Sequence, residues 1–118
     1  MTGNHDPQLL KGVLSLLLLQ LLAERESYGY EVVQRLQGLG LTDVLEGTVY
    51  PALARLEREG RVRARLVASS SGPARKYYRP TRAGYQALAA GTDAWNRHRA
   101  MVDAVLARPV PSEPVTAE

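Results

Sequence analysis

The chain contains 118 residues and no cysteine, and its 15 basic and 12 acidic side chains give a formal net charge of +3. This length suits one small domain that could bury about two-thirds of the surface exposed by the unfolded chain. The lack of cysteine excludes disulfides, thiolate metal sites and cysteine nucleophiles.

A leucine-rich stretch from Leu9 to Leu22 is predicted to form the first helix. Asp6 and Pro7 are typical of an N-cap followed by a first-turn proline, and Lys11 and Gln20 interrupt the apolar run. The stretch lacks a small-x-small cleavage pattern and is shorter than the roughly 20 residues that span a bilayer, so we reject a signal peptide and a membrane helix. A helix that is apolar on nearly every side must be covered on nearly every side, which predicts packing on its own domain and on another chain.

A second helix is predicted to begin with Ser27 as its N-cap and to be broken by Gly38 and Gly40. Its inward side chains recur at helical spacing, and they are Val32, Val33 and Leu36. A short turn, from Leu41 to Glu46, leads to the next helix. Two helices joined by a brief glycine-containing connection are typical of a helix-turn-helix.

The third helix is predicted within Glu46 to Gly60, where three apolar residues share one face: Val49, Leu53 and Leu56. Pro51 is tolerated only in a first turn, which places the first helical residue near Gly47 or Thr48, and Gly60 is predicted to end the helix in the left-handed region.

The opposite face of this third helix carries Thr48, Pro51, Arg55 and Arg58, with Tyr50 on one flank. Such a face could enter a DNA major groove. The alternative is an ordinary solvated surface with Arg/Glu pairs, which is common on helices.

The segment after the third helix predicts a β-hairpin. From Arg61 to Val67, arginines alternate with Val62, Ala64 and Leu66, which is the period of a half-buried strand. Ala68 to Ala74 is predicted to be a turn, and Arg75 to Pro80 a second strand that stops at the proline. The order helix, strand, loop, strand is that of a winged helix.

Positive charge is concentrated between residues 50 and 82, which hold nine basic and two acidic side chains. Because the rest of the chain is mildly acidic, this region has the charge pattern expected of a surface that contacts double-stranded DNA. Membrane binding is the competing interpretation, but a basic membrane-surface segment needs large apolar residues opposite its charges along one helix. We therefore expect no membrane partner.

Thr81 is predicted to cap a last helix that extends to about Ala107, followed by a proline-rich tail, residues 108–118, that we expect to be disordered. Steps of three and four residues connect the positions of an apolar seam: Tyr85, Leu88, Thr92, Trp95, Arg99, Val102 and Leu106. His98, Met101 and Val105 form an adjacent stripe. We expect a homodimer formed through the Leu9–Leu22 helix and the Tyr85–Leu106 helix, and the alternative is burial against the same domain only.

The order of these motifs resembles the PadR family of transcriptional regulators. TVYPALARLEREG is followed by RKYYRPTRAG, behind a leucine-rich helix and ahead of a single C-terminal helix. The resemblance implies a mainly α fold with a small β-hairpin: a winged helix-turn-helix at residues 7–80 plus a C-terminal dimerisation helix at 81–107. Pro80 departs from the family pattern, in which an aliphatic residue is more usual.

Candidate DNA contacts follow from the resemblance. It implies that Thr48, Tyr50, Pro51 and Arg55 belong to the recognition helix and that Arg75 and Lys76 lie on the wing. Arg58 and Tyr77 complete the candidate DNA-binding set.

Trp95, the only tryptophan, suggests a ligand site. In multidrug-responsive members of the family, a tryptophan on the corresponding helix stacks on flat aromatic ligands at the dimer centre, so the resemblance implies a planar aromatic ligand here. Candidate ligand-binding residues are Trp95, Leu14, Leu18, His98 and Arg99. The alternative is that Trp95 only packs at an interface.

Chemistry-bearing motifs are otherwise absent from the sequence. There is no G-x-S-x-G elbow, no glycine-rich phosphate loop and no histidine at metal-ligand spacing from His98, so we predict no enzyme activity, no metal and no cofactor. Two hypotheses remain. The first is a cytoplasmic, dimeric, sequence-specific DNA-binding repressor released by a small molecule, and the second is a winged-helix protein-interaction module without specific DNA readout.

Overall fold

Residues 7–113, the part of the chain that the computed structural model describes, contain four helices and a three-stranded antiparallel sheet. In chain order they are α1 (Pro7–Glu24), β1 (Ser27–Tyr28), α2 (Gly29–Gly38), α3 (Glu46–Arg58), β2 (Val62–Ser69), β3 (Gly72–Pro80) and α4 (Arg82–Leu106). The strand order in the sheet is β1-β3-β2. This architecture confirms the predicted fold class, a mainly α winged helix-turn-helix with a small hairpin.

Helix α1 supplies the largest share of the core. Its described residues run from Pro7 to Glu24, and its predicted N-cap, Asp6, lies outside the described part of the chain. Six of its leucines are buried: Leu10, Leu14, Leu18, Leu19, Leu21 and Leu22. They pack against Val32, Val33 and Leu36 of α2 and against the inward face of α3 in one apolar cluster.

The start of α2 differs from the prediction. Ser27 is not the N-cap, because its backbone is part of β1, where it pairs with Tyr78 of β3. Tyr28 caps the helix instead, and its backbone N–H donates to the Glu31 carboxylate at 3.4 Å. Ser27 is fully buried and its hydroxyl donates to the carbonyl of Arg25, so it fixes the connection between α1 and the sheet.

Helix α3 begins at Glu46, slightly earlier than predicted, so Pro51 lies in its second turn and not in its first. The backbone N–H groups of Thr48 and Val49 both donate to the carbonyl of Leu45, which starts the helix upstream of the proline. Pro51 has no N–H to donate to the carbonyl of Gly47, four residues earlier. It is tolerated because both residues are on the exposed face, where water can hydrogen-bond to that carbonyl. The helix ends at Arg58, and Gly60, two residues further on, has the predicted left-handed conformation with φ +75°.

The hairpin is longer, and its turn tighter, than predicted. The predicted turn from Ala68 to Ala74 is wrong because β2 continues to Ser69 and β3 begins at Gly72. Leu66 was expected to face inward, yet it is 72% exposed. Beyond Ala64 the hairpin projects past the core, so no side chain of β2 is fully buried there, and the register of the hairpin shifts between Val67 and Ser69. The prediction that the second strand ends at Pro80 is confirmed.

Helix α4 is anchored to the base of the hairpin at its first turn. Thr81 caps it as predicted, accepting from the N–H of Gly84 at 3.1 Å and donating to the carbonyl of Gly60 at 2.6 Å. The backbone N–H of Thr81 donates to the carbonyl of Arg61 at 3.0 Å. Residues 108–113 contain no helix or strand, and residues 114–118 of the predicted disordered tail lie outside the described part of the chain.

The packing at Gly84 leads to a stability prediction. A Cβ at this position would lie 1.9 Å from the carbonyl oxygen of Arg61, so Gly84→Ala must shift the first turn of α4. We expect it to lower the free energy of unfolding by at least about 1–3 kcal/mol. The measurement is urea unfolding at one fixed protein concentration.

Gly38→Ala is the matched control, because an added Cβ at Gly38 meets nothing within 4 Å. We expect unchanged stability or a gain of up to about 1 kcal/mol, since alanine favours helix over glycine. Equal unfolding midpoints for the two variants would contradict the packing argument.

Candidate nucleic-acid interface

The exposed face of α3 is set by its buried face. Val49, Leu53 and Leu56 are fully buried, and this fixes the rotation of the helix about its axis. All four residues predicted for the opposite face are exposed: Thr48, Pro51, Arg55 and Arg58. They border a groove of about 560 Å³ between α3 and the N-terminal half of α1.

The two arginines of this face differ in their partners. Arg55 donates to Glu59, one turn further along the helix, at 3.2 Å. Arg58 forms no ion pair with any acid of residues 7–113. Because an exposed i,i+4 pair is weak, the Arg55 guanidinium is readily exchanged onto another acceptor.

Tyr50 lies on the other flank of α3, toward the hairpin. Its ring packs against Gly29 at the start of α2 and is 43% exposed. Partial burial, reinforced by the nearby Glu46 carboxylate, raises the pKa of the Tyr50 phenol above its usual value. The phenol is therefore neutral at physiological pH.

The predicted wing cations lie on β3, where aromatic side chains hold them. The Arg75 guanidinium lies 4.6 Å from the centre of the Tyr28 ring, and the Lys76 ammonium lies 5.6 Å from that of Tyr78. Lys76 also donates to Glu57 of α3 at 3.0 Å, and this hydrogen bond raises the pKa of the Lys76 ammonium. Tyr77 is half-buried, its ring edge-on to that of Tyr28.

A second link joins the wing to the body and was not predicted from the sequence. Arg65 of β2 donates two hydrogen bonds to the Glu26 carboxylate, at 2.7 and 2.8 Å. The hydrogen bond from Arg65 holds the pKa of the Glu26 carboxyl below its usual value. The two residues are 39 positions apart, so no local spacing could have revealed the pair.

Five cations of residues 50–82 form no ion pair with an acid of residues 7–113. They are Arg58, Arg63, Arg75, Arg79 and Arg82. The remaining four cations of this region each pair with a glutamate. The exposed face of α3 and the adjoining wing therefore keep an excess of uncompensated positive charge, which is suited to phosphate contact.

The predicted ligand-binding residues are only partly brought together. Trp95 and His98 line a groove of about 540 Å³ between α1 and α4. Leu14, Leu18 and Arg99 do not line it: Leu18 is fully buried in the core, and Leu14 borders the groove on the α3 side.

The orientation of α1 keeps Leu14 and Leu18 out of the α1–α4 groove. The leucines one turn apart at Leu14 and Leu18 face the core, and a different face of α1 meets α4. That face contributes Leu9, Val13, Leu16 and Leu19 to the groove.

Comparison with known proteins identifies the family. The description "Transcriptional regulator PadR-like family" matches residues 18–90 of the chain. The chain belongs to the PadR-like family of transcriptional regulators. Membership assigns DNA-binding regulation to this PadR-like chain and confirms the predicted family, and proteins of the family are transcriptional regulators and not enzymes.

Solved structures agree with this assignment. The crystal structure of a PadR-like transcriptional regulator from Bacillus cereus matches with a TM-score of 0.77 at 38% sequence identity, covering 86% of this chain and 99% of that one. A PadR family transcriptional regulator from Eggerthella lenta matches with a TM-score of 0.80 at 31% identity, covering 86% and 88%. A Streptococcus transcriptional regulator matches with a TM-score of 0.76 at 34% identity, covering 85% and 98%.

Two further findings concern the described residues of this PadR-like chain. Within residues 7–113, no three His, Cys, Asp or Glu side chains are grouped so that they could hold a metal ion. Over the same range, no helix combines the length and the apolar character required to cross a membrane.

Proposed function

We propose that the chain is a cytoplasmic, dimeric, sequence-specific repressor that a small molecule releases from DNA. The observation that carries the proposal is the position of four cations that pair with no acid of residues 7–113. Arg58 lies on the exposed face of α3, and three more lie on the wing beside it: Arg63, Arg75 and Arg79. In this proposal residues 7–80 form the winged helix-turn-helix and residues 81–107 the dimerisation helix.

The proposed DNA contacts divide into two kinds. Thr48, Pro51 and Arg55 contact base edges in the major groove, where exposed side chains on one helix face can reach them. The remaining predicted contacts are on the DNA backbone, where they add affinity and orientation but little sequence preference. These are Tyr50, Arg58, Arg75, Lys76 and Tyr77.

Homodimerisation is supported by the exposed apolar surface of α4. Trp95, Met101, Val102 and Val105 are all more than 40% exposed, although they lie on the apolar seam and its adjacent stripe. Leu9 of α1, which lines the groove between α1 and α4, is 74% exposed. Burying these side chains against a second copy would remove an apolar patch and would hold two recognition helices at a fixed spacing.

The DNA proposal is tested by the salt dependence of binding. A duplex selected from random DNA is titrated with the protein at several salt concentrations. We expect log K to fall linearly with log salt, and Arg75→Gln and Lys76→Gln each to reduce the slope by up to about 0.9, because each removes one phosphate contact.

Arg108→Gln is the control for charge alone, because it removes the same charge beyond the end of α4 and should leave the slope unchanged. Binding that is insensitive to salt in the unmodified protein would exclude the DNA proposal. It would favour the alternative, a module whose apolar seam binds another protein.

The dimer proposal is tested by placing an acid on the seam. Val102→Asp puts a charge on the exposed apolar face of α4, so we expect monomers in sedimentation equilibrium and DNA affinity at least about tenfold weaker, since one half-site alone is bound. Ala104→Asp adds the same charge on the opposite face of α4 and should remain dimeric. A Val102→Asp variant that sediments as a dimer would exclude the seam as the interface.

The ligand proposal is tested through Trp95, whose fluorescence is assignable because it is the only tryptophan. Trp95 is 43% exposed in the α1–α4 groove, so planar dyes of the acridine and phenanthridine classes should quench it by stacking. By calorimetry without DNA, a dimeric Trp95→Leu variant should bind the same dye about two- to tenfold more weakly. Equal affinities would restrict Trp95 to packing.

A further inference from the structure

A small pocket lies where β1, the start of α2, α3 and β3 meet. Its walls contain four tyrosines and two cations, and its volume is about 220 Å³. The tyrosines are Tyr28, Tyr30, Tyr50 and Tyr78, and the cations are Arg75 and Lys76. We refer to this set, with Gly29 between Tyr28 and Tyr30, as the tyrosine pocket. It is separate from the α1–α4 groove that contains Trp95.

The cations of the tyrosine pocket are held in place by its aromatic rings. The Arg75 guanidinium stacks at 4.6 Å on Tyr28, whose ring is braced edge-on by Tyr77 at 5.3 Å. Arg75 has no acidic partner among residues 7–113, so its planar set of N–H donors is oriented but not occupied by a carboxylate. A stacked, unpaired guanidinium loses little side-chain entropy when it binds an oxyanion.

Gly29 has no side chain, and this lets the Tyr50 ring form one wall of the tyrosine pocket. A Cβ at this position would lie 2.6 Å from Cε1 of Tyr50, so any larger residue would push the Tyr50 ring away from the start of α2. Tyr50 belongs to α3, on the flank of its exposed face. The pocket is therefore coupled sterically to the helix that is proposed to read the bases.

The lining chemistry selects for a small oxyanion. Among the described residues no acid lines the tyrosine pocket, although Glu57 meets Lys76 and Glu46 meets the Tyr50 phenol from outside it. The volume is below the roughly 300–1,000 Å³ typical of sites for drug-sized molecules. Guanidinium, ammonium and phenol donors around a small space match the oxygens of a tetrahedral phosphate.

We propose that the tyrosine pocket binds one phosphate of the DNA backbone per protomer. Arg75 is its principal donor and the Tyr30 phenol a second, while Lys76 exchanges Glu57 for the same phosphate. This phosphate borders the major groove that α3 enters, so the pocket fixes the depth and rotation of the recognition helix. The proposal rests on the proposed DNA-binding function and adds Tyr30, Gly29 and a single defined phosphate to it.

The experiment combines protein variants with DNA duplexes in which single backbone phosphates are replaced by uncharged linkages. A duplex selected by the full-length protein is prepared with one methylphosphonate at each position in turn, and binding is measured by gel shift. For the unmodified protein we expect one phosphate in each half-site at which loss of charge weakens binding roughly tenfold. With the Tyr30→Phe/Arg75→Gln variant, the same substitution should cost no more than about twofold, because the donors are already lost.

Control measurements make each outcome decisive. Tyr30→Phe alone removes one hydroxyl and should weaken binding without altering the unfolding midpoint, so a folding defect cannot imitate the result. The Arg108→Gln variant should lose the same affinity as the unmodified protein at each methylphosphonate position. If the penalties of variant and methylphosphonate are additive at all positions while the unmodified protein still binds, the tyrosine pocket is excluded and the DNA function stands. If the unmodified protein selects no duplex, both proposals fail.

Discussion

Burial of one face of α1 determines where the candidate DNA-binding side chains of this protein lie. Leu18, Leu19 and Leu22 are almost inaccessible and pack in the cluster that also holds the inward faces of α2 and α3. Because Leu53 and Leu56 are committed to that cluster, the opposite side of α3 must be exposed. Another face of α1 remains available to α4. A single leucine-rich helix thus orients the proposed DNA-binding surface and supports the long C-terminal helix.

The wing is held to this body by contacts that are more polar. Glu26 and Glu57 reach Arg65 and Lys76 from different elements, and both pairs are exposed to solvent. Exposed ion pairs contribute little to folding stability, so their main effect is on charge. The charge of the wing is therefore partly neutralised, and in the proposed DNA complex a phosphate that displaces Glu57 from Lys76 would exchange one anionic partner for another.

The predictability of each element depended on whether its determinants are local. Helical spacing sufficed to predict the inward and outward faces of α3, and the preference of threonine for N-cap positions sufficed to predict the cap of α4 at Thr81. The two-residue strand β1 was missed because its only partner is β3, about 50 residues away along the chain. The Arg65–Glu26 pair and the tyrosine pocket were missed for the same reason.

Where local rules failed, the surroundings of the segment differed from those the rules assume. Strand periodicity placed Leu66 inward, but alternation predicts burial only where a core lies behind the strand, and the hairpin extends beyond it. The serine- and glycine-rich composition of residues 68–74 suggested a loop, although most of these residues continue the two strands. For Leu14 and Leu18, an all-apolar helix offers no amphipathic contrast from which to choose the face toward α4.

Hydrogen bonds to the carbonyls of Arg61 and Gly60 fix the first turn of α4 at the base of the wing, so any tilt of the helix displaces its far end most. Its 25 residues span about 37 Å, so a tilt of only 5° at Gly84 moves the far end by roughly 3 Å. Because Gly91 of α4 packs against Leu16 of α1, such a tilt also moves α4 across α1. In the proposed homodimer, a small tilt of both α4 helices would change the distance between the two α3 helices.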